Sequence, residues 1–169
     1  GYTYGGGRKG ERLWHGLDSA FGPSVGLVSI GRGWGPGTKH LRRYSDLAPW
    51  YRSLDLYVCC SLTEGIPYGP LEALAVGIPV VIPRGVGLLD TLPHQEGIYR
   101  YARGDAADLR AMVKLALAHV AEHTTPDPEA LRATTERFTA AAWCADWCAA
   151  LQPMPETLPA TETHGAPNL

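Results

Sequence analysis

No stretch of this sequence approaches the ~18 consecutive apolar residues that a bilayer crossing needs, so it carries no transmembrane segment. Charge of one sign is also missing: 15 Lys and Arg stand against 17 Asp and Glu, and a net charge of -2 leaves no nucleic-acid footprint. The basic cluster from Lys39 to Arg43 is too short to follow a phosphate backbone. Cysteine is scarce, at four residues arranged as Cys59-Cys60 and Cys144-x3-Cys148. The first pair falls on successive strand positions facing opposite ways, and the second pair is one helical turn apart. Neither spacing is a disulfide framework, and no further Cys-x2-Cys or His pair completes a zinc tetrahedron. A cluster of glycines such as Gly5 to Gly10 is weak evidence of a phosphate-binding loop on its own, and no Walker loop is present. The first residues do not read as a signal peptide, and the expected location is the cytoplasm, with thiols reduced.

What is there centres on Leu54 to Gly85. Asp55-Leu-Tyr-Val-Cys-Cys60 is a nearly continuous apolar run, as a strand covered on both faces requires. Ser61 to Gly69 comes next as a loop in which Gly65 and Gly69 can take backbone angles closed to other residues. Pro70 suits a first helical position, Leu71 to Val76 reads as a short helix, and Gly77 is placed for a left-handed cap. Pro79 to Arg84 is the next strand. Glu64 and Glu72 bracket the loop, with seven residues between them. Glu72 falls in the first helical turn, where it either complements the helix dipole or reaches a sugar hydroxyl beyond a phosphate bound at the helix start.

Glu64-Gly-Ile-Pro-Tyr-Gly-Pro-Leu-Glu72, followed by Ala-Leu-Ala-Val-Gly-Ile-Pro-Val-Val81, resembles the Glu-x7-Glu region of retaining glycosyltransferases with two Rossmann-like domains, the GT-B type, family 4-like. Asp55-Leu-Tyr-Val58 and Ser61 match the strand and serine that lead into that motif, and the resemblance extends over about residues 8 to 120. It implies an α/β fold: a Rossmann-like, doubly wound parallel sheet, the carboxy-terminal half of a GT-B enzyme. Length agrees, since 169 residues support one core and not two. The chain also begins abruptly at Gly1, so the acceptor-binding amino-terminal domain is expected to be missing or to lie in a partner chain. Residues 1–151 are expected as the nucleotide-sugar-binding domain and 152–169, rich in Pro and Thr, as a flexible tail. Peripheral membrane contact through the missing half is left open.

The same resemblance assigns site residues. Lys9 before Gly10 resembles the family's Lys-Gly, whose lysine contacts the donor diphosphate; either Arg8 beside it substitutes for an arginine the family carries earlier, or that contact is lost. Gly31 and Gly33 resemble the Gly-x-Gly that ends the second strand, which brings Arg32 into the diphosphate group. Gly65, Ile66, Pro67, Tyr68 and Gly69 form the donor loop, Glu72 meets the ribose, and Glu64 and Lys9 are the catalytic candidates. No metal or other cofactor is implied; lysine, arginine and backbone N–H groups neutralise the leaving diphosphate. After Arg84 the family has Gly-Gly and a helix bearing Glu; here Gly85 and Gly87 flank Val86, and the acidic position is most nearly Asp90.

Elsewhere, Val25 to Ile30 reads as a strand, Trp34 as a wall for a base or a lid on the core edge, and Glu96 to Tyr101 as a last strand. Asp105 caps a helix striped by Leu109, Val113, Ala116 and Val120, and Glu129 to Arg137 reads as another helix. Thr139 can cap a final one, whose Trp143, Trp147 and Leu151 serve either the core or a partner surface. The activity implied is transfer of a sugar from a nucleoside-diphosphate sugar with retention of configuration. The alternative is a non-catalytic nucleotide-binding or scaffolding module that pairs with another chain; a nucleotide-sugar epimerase fits the Glu-Ala-Leu-Ala helix less well.

Overall fold

Val80-Val-Ile-Pro83, apolar throughout and buried throughout, forms the middle strand of a three-stranded parallel sheet. A computed structural model describes residues 7–18, 20–21, 25–30, 34, 47–124 and 126–150. The chain falls into two compact units, Gly1–Glu136 and Arg137–Leu169.

In the first unit the elements run α1 (Glu11–Asp18), α2 (Leu47–Arg52), β1 (Tyr57–Val58), α3 (Tyr68–Ala75) and β2 (Val80–Pro83). A 3-10 turn (Gly87–Thr91), β3 (Ile98–Tyr101), α4 (Ala106–Ala121) and α5 (Pro128–Ala133) come after them. The strand order is β1-β2-β3, with Tyr57 opposite Val80 and Val80 opposite Ile98. Side chains alternate across the sheet, so Val81, Tyr99 and Tyr101 join Leu13, Leu17, Leu109, Val113 and Ala116 in one cluster under α1 and α4. The opposite face is covered by α3, which packs on β1 and β2 and is flanked by α2 and α5. Helices on both faces of a parallel sheet make the doubly wound α/β arrangement expected from the sequence.

The strand expected over Asp55–Cys60 is a ladder of two residues, prolonged by single bonds from Tyr57 N–H to the Pro79 carbonyl (3.0 Å) and from Cys59 N–H to the Val81 carbonyl (2.9 Å). Val25 to Ile30 shows an isolated bridge at Ile30 in place of a strand; Gly26 and Ser29 give it little side chain to pack. The helix expected from Leu71 starts at Tyr68, which moves Pro70 to its third position, still within the turn whose N–H groups lack helical partners. Its end agrees with the expectation. Gly77 has φ +83°, its N–H bonds the Leu74 carbonyl (2.8 Å), and Ile78 N–H bonds the Ala73 carbonyl (3.0 Å), a Schellman motif. Asp105 caps α4, accepting from the N–H groups of Ala107 (2.8 Å) and Asp108 (3.0 Å), and these bonds hold its carboxyl below the usual range. α5 is shorter than the expected Glu129–Arg137 helix and is capped by Asp127.

The second unit contains α6 (Ala140–Ala150), capped by Thr139, whose Oγ1 accepts from Ala142 N–H at 3.2 Å. Trp143 and Trp147 are exposed and meet edge to face at 5.7 Å. The expected tail, 152–169, lies outside the described residues.

Gly10 anchors the amino-terminal loop to the sheet. Its φ is +74°, and a Cβ there would stand 1.9 Å from the carbonyl oxygen of Cys60, a backbone atom that cannot step aside. Gly10→Ala should cost about 2 to 4 kcal/mol, combining left-handed strain with that clash. Gly65→Ala should cost under about 0.5 kcal/mol, since Gly65 has open space around it and no positive φ. Urea unfolding of both variants checks the contrast, and equal losses would refute the account of Gly10.

Candidate functional site

Because the three strands are parallel, their carboxyl ends share one edge, where ligands bind in open α/β sheets. The loop from Cys59 to Pro67, the turn from Arg84 to Leu92 and the segment from Ala102 to Asp105 all emerge there. Backbone contacts tie them together. Leu62 N–H donates to the Arg8 carbonyl (2.7 Å), and Leu88 N–H donates to that of Gly65 (3.3 Å). Arg103 Nη1 donates to the carbonyl oxygens of Gly85 (2.9 Å) and Leu62 (3.5 Å). Gly87 lies so close to the Glu64 and Gly65 carbonyls that a Cβ would be 2.5 and 2.4 Å from them. Asp90, the acidic residue of this turn, accepts from Gly85 N–H at 2.8 Å and so closes the turn itself.

Seating Gly7–Gly10 against Cys60 and Leu62 brings Lys9 to Glu64, 55 positions away. Their Nζ and Oε1 form an ion pair in which neither side chain is more than 29% exposed, and Ser61 Oγ donates to the same carboxylate oxygen at 3.1 Å. Glu72 projects from the middle of α3, where its Oε2 accepts from the Tyr51 hydroxyl at 2.8 Å. Lys9, Glu64, Tyr68, Gly69 and Glu72 line one cavity of about 890 Å³, with Tyr57 on its wall. Desolvation pushes the Tyr57 phenol well above its ordinary pKa, with neighbouring Cys59 and Cys60 thiols and the Glu72 and Glu64 carboxylates adding to the effect.

Most of the residues singled out in the sequence converge here. Ile66 and Tyr68 stand at the rim, 53% and 64% exposed, and Pro67 is the residue before α3. Arg8 is exposed and contributes its carbonyl to the loop anchor. Arg32 lies outside the described residues.

Two expectations change. Glu72 is the fifth residue of α3, beyond the first turn, so complementing the helix dipole is not its role. Gly65 and Gly69 have no positive φ. Gly69 is required for closeness instead, because a Cβ there would be 2.2 Å from the Tyr57 hydroxyl. Trp34 meets Trp14 edge to face at 6.1 Å, an aromatic pair at the cavity edge.

Sequence reading missed Tyr51, Tyr57 and Arg103. Tyr51 carried a usable signal: it follows Trp50 on an apolar helix, and a buried tyrosine must find a partner for its hydroxyl. Arg103 carried none, because its acceptors are main-chain carbonyls. Among the described residues no three His, Cys, Asp or Glu side chains converge, and no helix is long and apolar enough to cross a membrane.

Residues 25–119, more than half of the chain, match the family described as Glycosyl transferases group 1. The chain belongs to that family. Among curated proteins it is similar to the lipopolysaccharide core biosynthesis mannosyltransferase LpsB of Rhizobium meliloti, 39% identical over 75 residues, which cover 44% of this chain and 21% of the relative. Among solved structures, sucrose-phosphate synthase from Thermosynechococcus elongatus superposes with a TM-score of 0.65 at 22% identity, over 85% of this chain and 42% of that one. Anabaena HepE, in complex with UDP and glucose, gives 0.69 at 17% identity, over 85% and 46%. The fold is therefore that of GT-B glycosyltransferases. The chain spans less than half the length of each of these relatives.

Cys59 and Cys60, buried where β1 enters the site, have their thiol pKa values pushed up by desolvation. Cys144 and Cys148 are exposed. An aromatic disulfide reagent at neutral pH should therefore titrate two thiols rapidly and the other two only after denaturant is added. The same burial fixes a sign. Thiols and phenols with raised folded-state pKa values stabilise the fold fully below the unfolded values and lose that contribution as pH rises past them, so unfolding free energy should fall above about pH 9 to 10. Four rapidly reacting thiols would contradict the packing around β1.

Proposed function

We propose that this chain is the donor-binding part of a retaining glycosyltransferase that moves a hexose from a nucleoside-diphosphate sugar to an acceptor without a metal ion. One observation carries the reading: Lys9 and Glu64, far apart in sequence, meet in a cavity that Tyr68, Gly69 and Glu72 also line. Family membership supports the transferase class, and HepE, with UDP and glucose bound, supports a nucleoside diphosphate as ligand.

In this reading the diphosphate lies against the start of α3, where the N–H groups of Tyr68 and Gly69 have no helical acceptors. Lys9 turns from Glu64 toward the phosphate oxygens and neutralises charge as the glycosidic bond stretches. Arg8 and Arg32 add to that positive charge. Gly65, Ile66 and Pro67 shape the loop over the sugar, Glu64 lies against the sugar, and Glu72 accepts from the ribose hydroxyls. The acceptor site belongs to a further domain or a partner chain, in keeping with the additional length of the relatives. Residues 1–151 then form the donor domain, and 152–169 a tail or linker. The location that fits is cytoplasmic, with any membrane contact made by the acceptor half.

Calorimetry with UDP, GDP and ADP, each with and without EDTA, is the test. Binding of at least one, unchanged by EDTA, is expected; binding of none, or binding that EDTA abolishes, overturns the reading.

Completeness has a separate test. Closure of two walls excludes water and aligns the attacking hydroxyl, so the 169-residue chain alone should show at most slow donor hydrolysis with radiolabelled sugar nucleotides. Transfer should appear when a longer polypeptide or the partner is supplied. Robust transfer by the chain alone would refute the half-enzyme assignment, whereas nucleotide binding without transfer in every longer form would favour a scaffolding role.

A further inference from the structure

We propose that Tyr51 is a positioning residue for Glu72, so that selection of an intact ribose depends on a phenol held on the neighbouring helix α2. The inference rests on the proposed contact between Glu72 and the ribose. Tyr51 is 4% exposed, and its ring is fixed between Trp50, edge to face at 5.0 Å, and Tyr57, tilted at 5.6 Å. With two aromatic neighbours and little solvent, the ring has few ways to turn. Its hydroxyl therefore arrives at a fixed point, and there it donates to Glu72 Oε2 at 2.8 Å.

Glu72 by contrast is a long side chain, half-buried on the cavity wall, and its carboxylate has several rotamers to lose on ordering. A hydrogen bond from a neutral donor to an ionised acceptor is among the stronger kinds, enough to favour one rotamer. Tyr57, with its hydroxyl tight against Gly69, closes the space beside this pair and backs the Tyr51 ring. The carboxylate is thus set before a ligand arrives, and the ordering cost that binding would otherwise carry is met during folding. Tyr51 does not touch the ligand in this scheme and acts only through Glu72.

The experiment uses the full chain, calorimetry, and whichever of UDP, GDP and ADP binds, together with its 2′,3′-dideoxy form. The wild type should prefer the intact ribose. Tyr51→Phe keeps the ring and its packing and deletes only the donor, so it should weaken binding of the intact nucleotide roughly tenfold and leave the dideoxy form unchanged. Glu72→Ala should remove the preference altogether, and Tyr51→Phe added to Glu72→Ala should produce no further loss. A Tyr51→Phe variant that weakens both nucleotides equally, or neither, overturns the positioning role while the wild-type preference leaves the Glu72 reading standing. Additive losses in the double variant overturn it too. A wild type that binds nucleotide with no preference for the intact ribose overturns the Glu72 assignment, and the role of Tyr51 falls with it.

Discussion

Everything at the carboxyl edge of the sheet depends on one close approach between main chains: Gly10 resting on the carbonyl of Cys60, with Arg8 accepting from Leu62 two residues further on. No side chain could stand between them. That contact fixes where the amino-terminal loop ends, where α1 begins, and where the lysine between them points. The Cys59 carbonyl next door is taken by the buried Tyr101 hydroxyl at 3.0 Å, so the strand end that receives the loop is itself held in place. A lysine on a glycine-rich loop would otherwise sample a wide volume. Here its backbone is held in one place.

The ion pair between Lys9 and Glu64 sits between the regimes of surface and buried charge. An exposed pair would contribute little, and a fully buried one would lose much of its hydration. Partial exposure leaves each group within reach of solvent and of other ions. In the proposed reading, an anion entering the cavity competes with one carboxylate for one ammonium, an exchange of similar interactions and not the rupture of a buried network. Ser61 donates to the same carboxylate oxygen and would still hold it if the ammonium turned away.

The parts of this structure legible in the sequence are those whose cause is local. Gly77 ends α3 because a left-handed cap needs glycine, and Asp105 starts α4 because its carboxylate meets two free N–H groups; both are written in single residues. Val80 to Pro83, an apolar run, and Ile98 to Tyr101, a β-branched residue and two tyrosines around Arg100, read as strands because each is bounded by glycine nearby. The departures have non-local causes. Gly69 reads in the sequence as a residue freed for unusual backbone angles, yet the constraint is a tyrosine hydroxyl from a strand. Glu72 reads as a helix-start carboxylate because Pro70 suggests the first position, whereas the helix begins at Tyr68 and carries the carboxylate into its second turn. The meeting of Lys9 with Glu64 is legible only through resemblance to a family, since nothing in either segment alone points at the other.

Arg103 gives the site a mechanical character. By donating to carbonyls of both the loop after β1 and the turn after β2, while Gly87 abuts Glu64 and Gly65, it makes those two segments one stiff plate. A plate has no independent flap. A displacement of either segment must then draw the other along with it, so the two respond together where separate loops would respond singly.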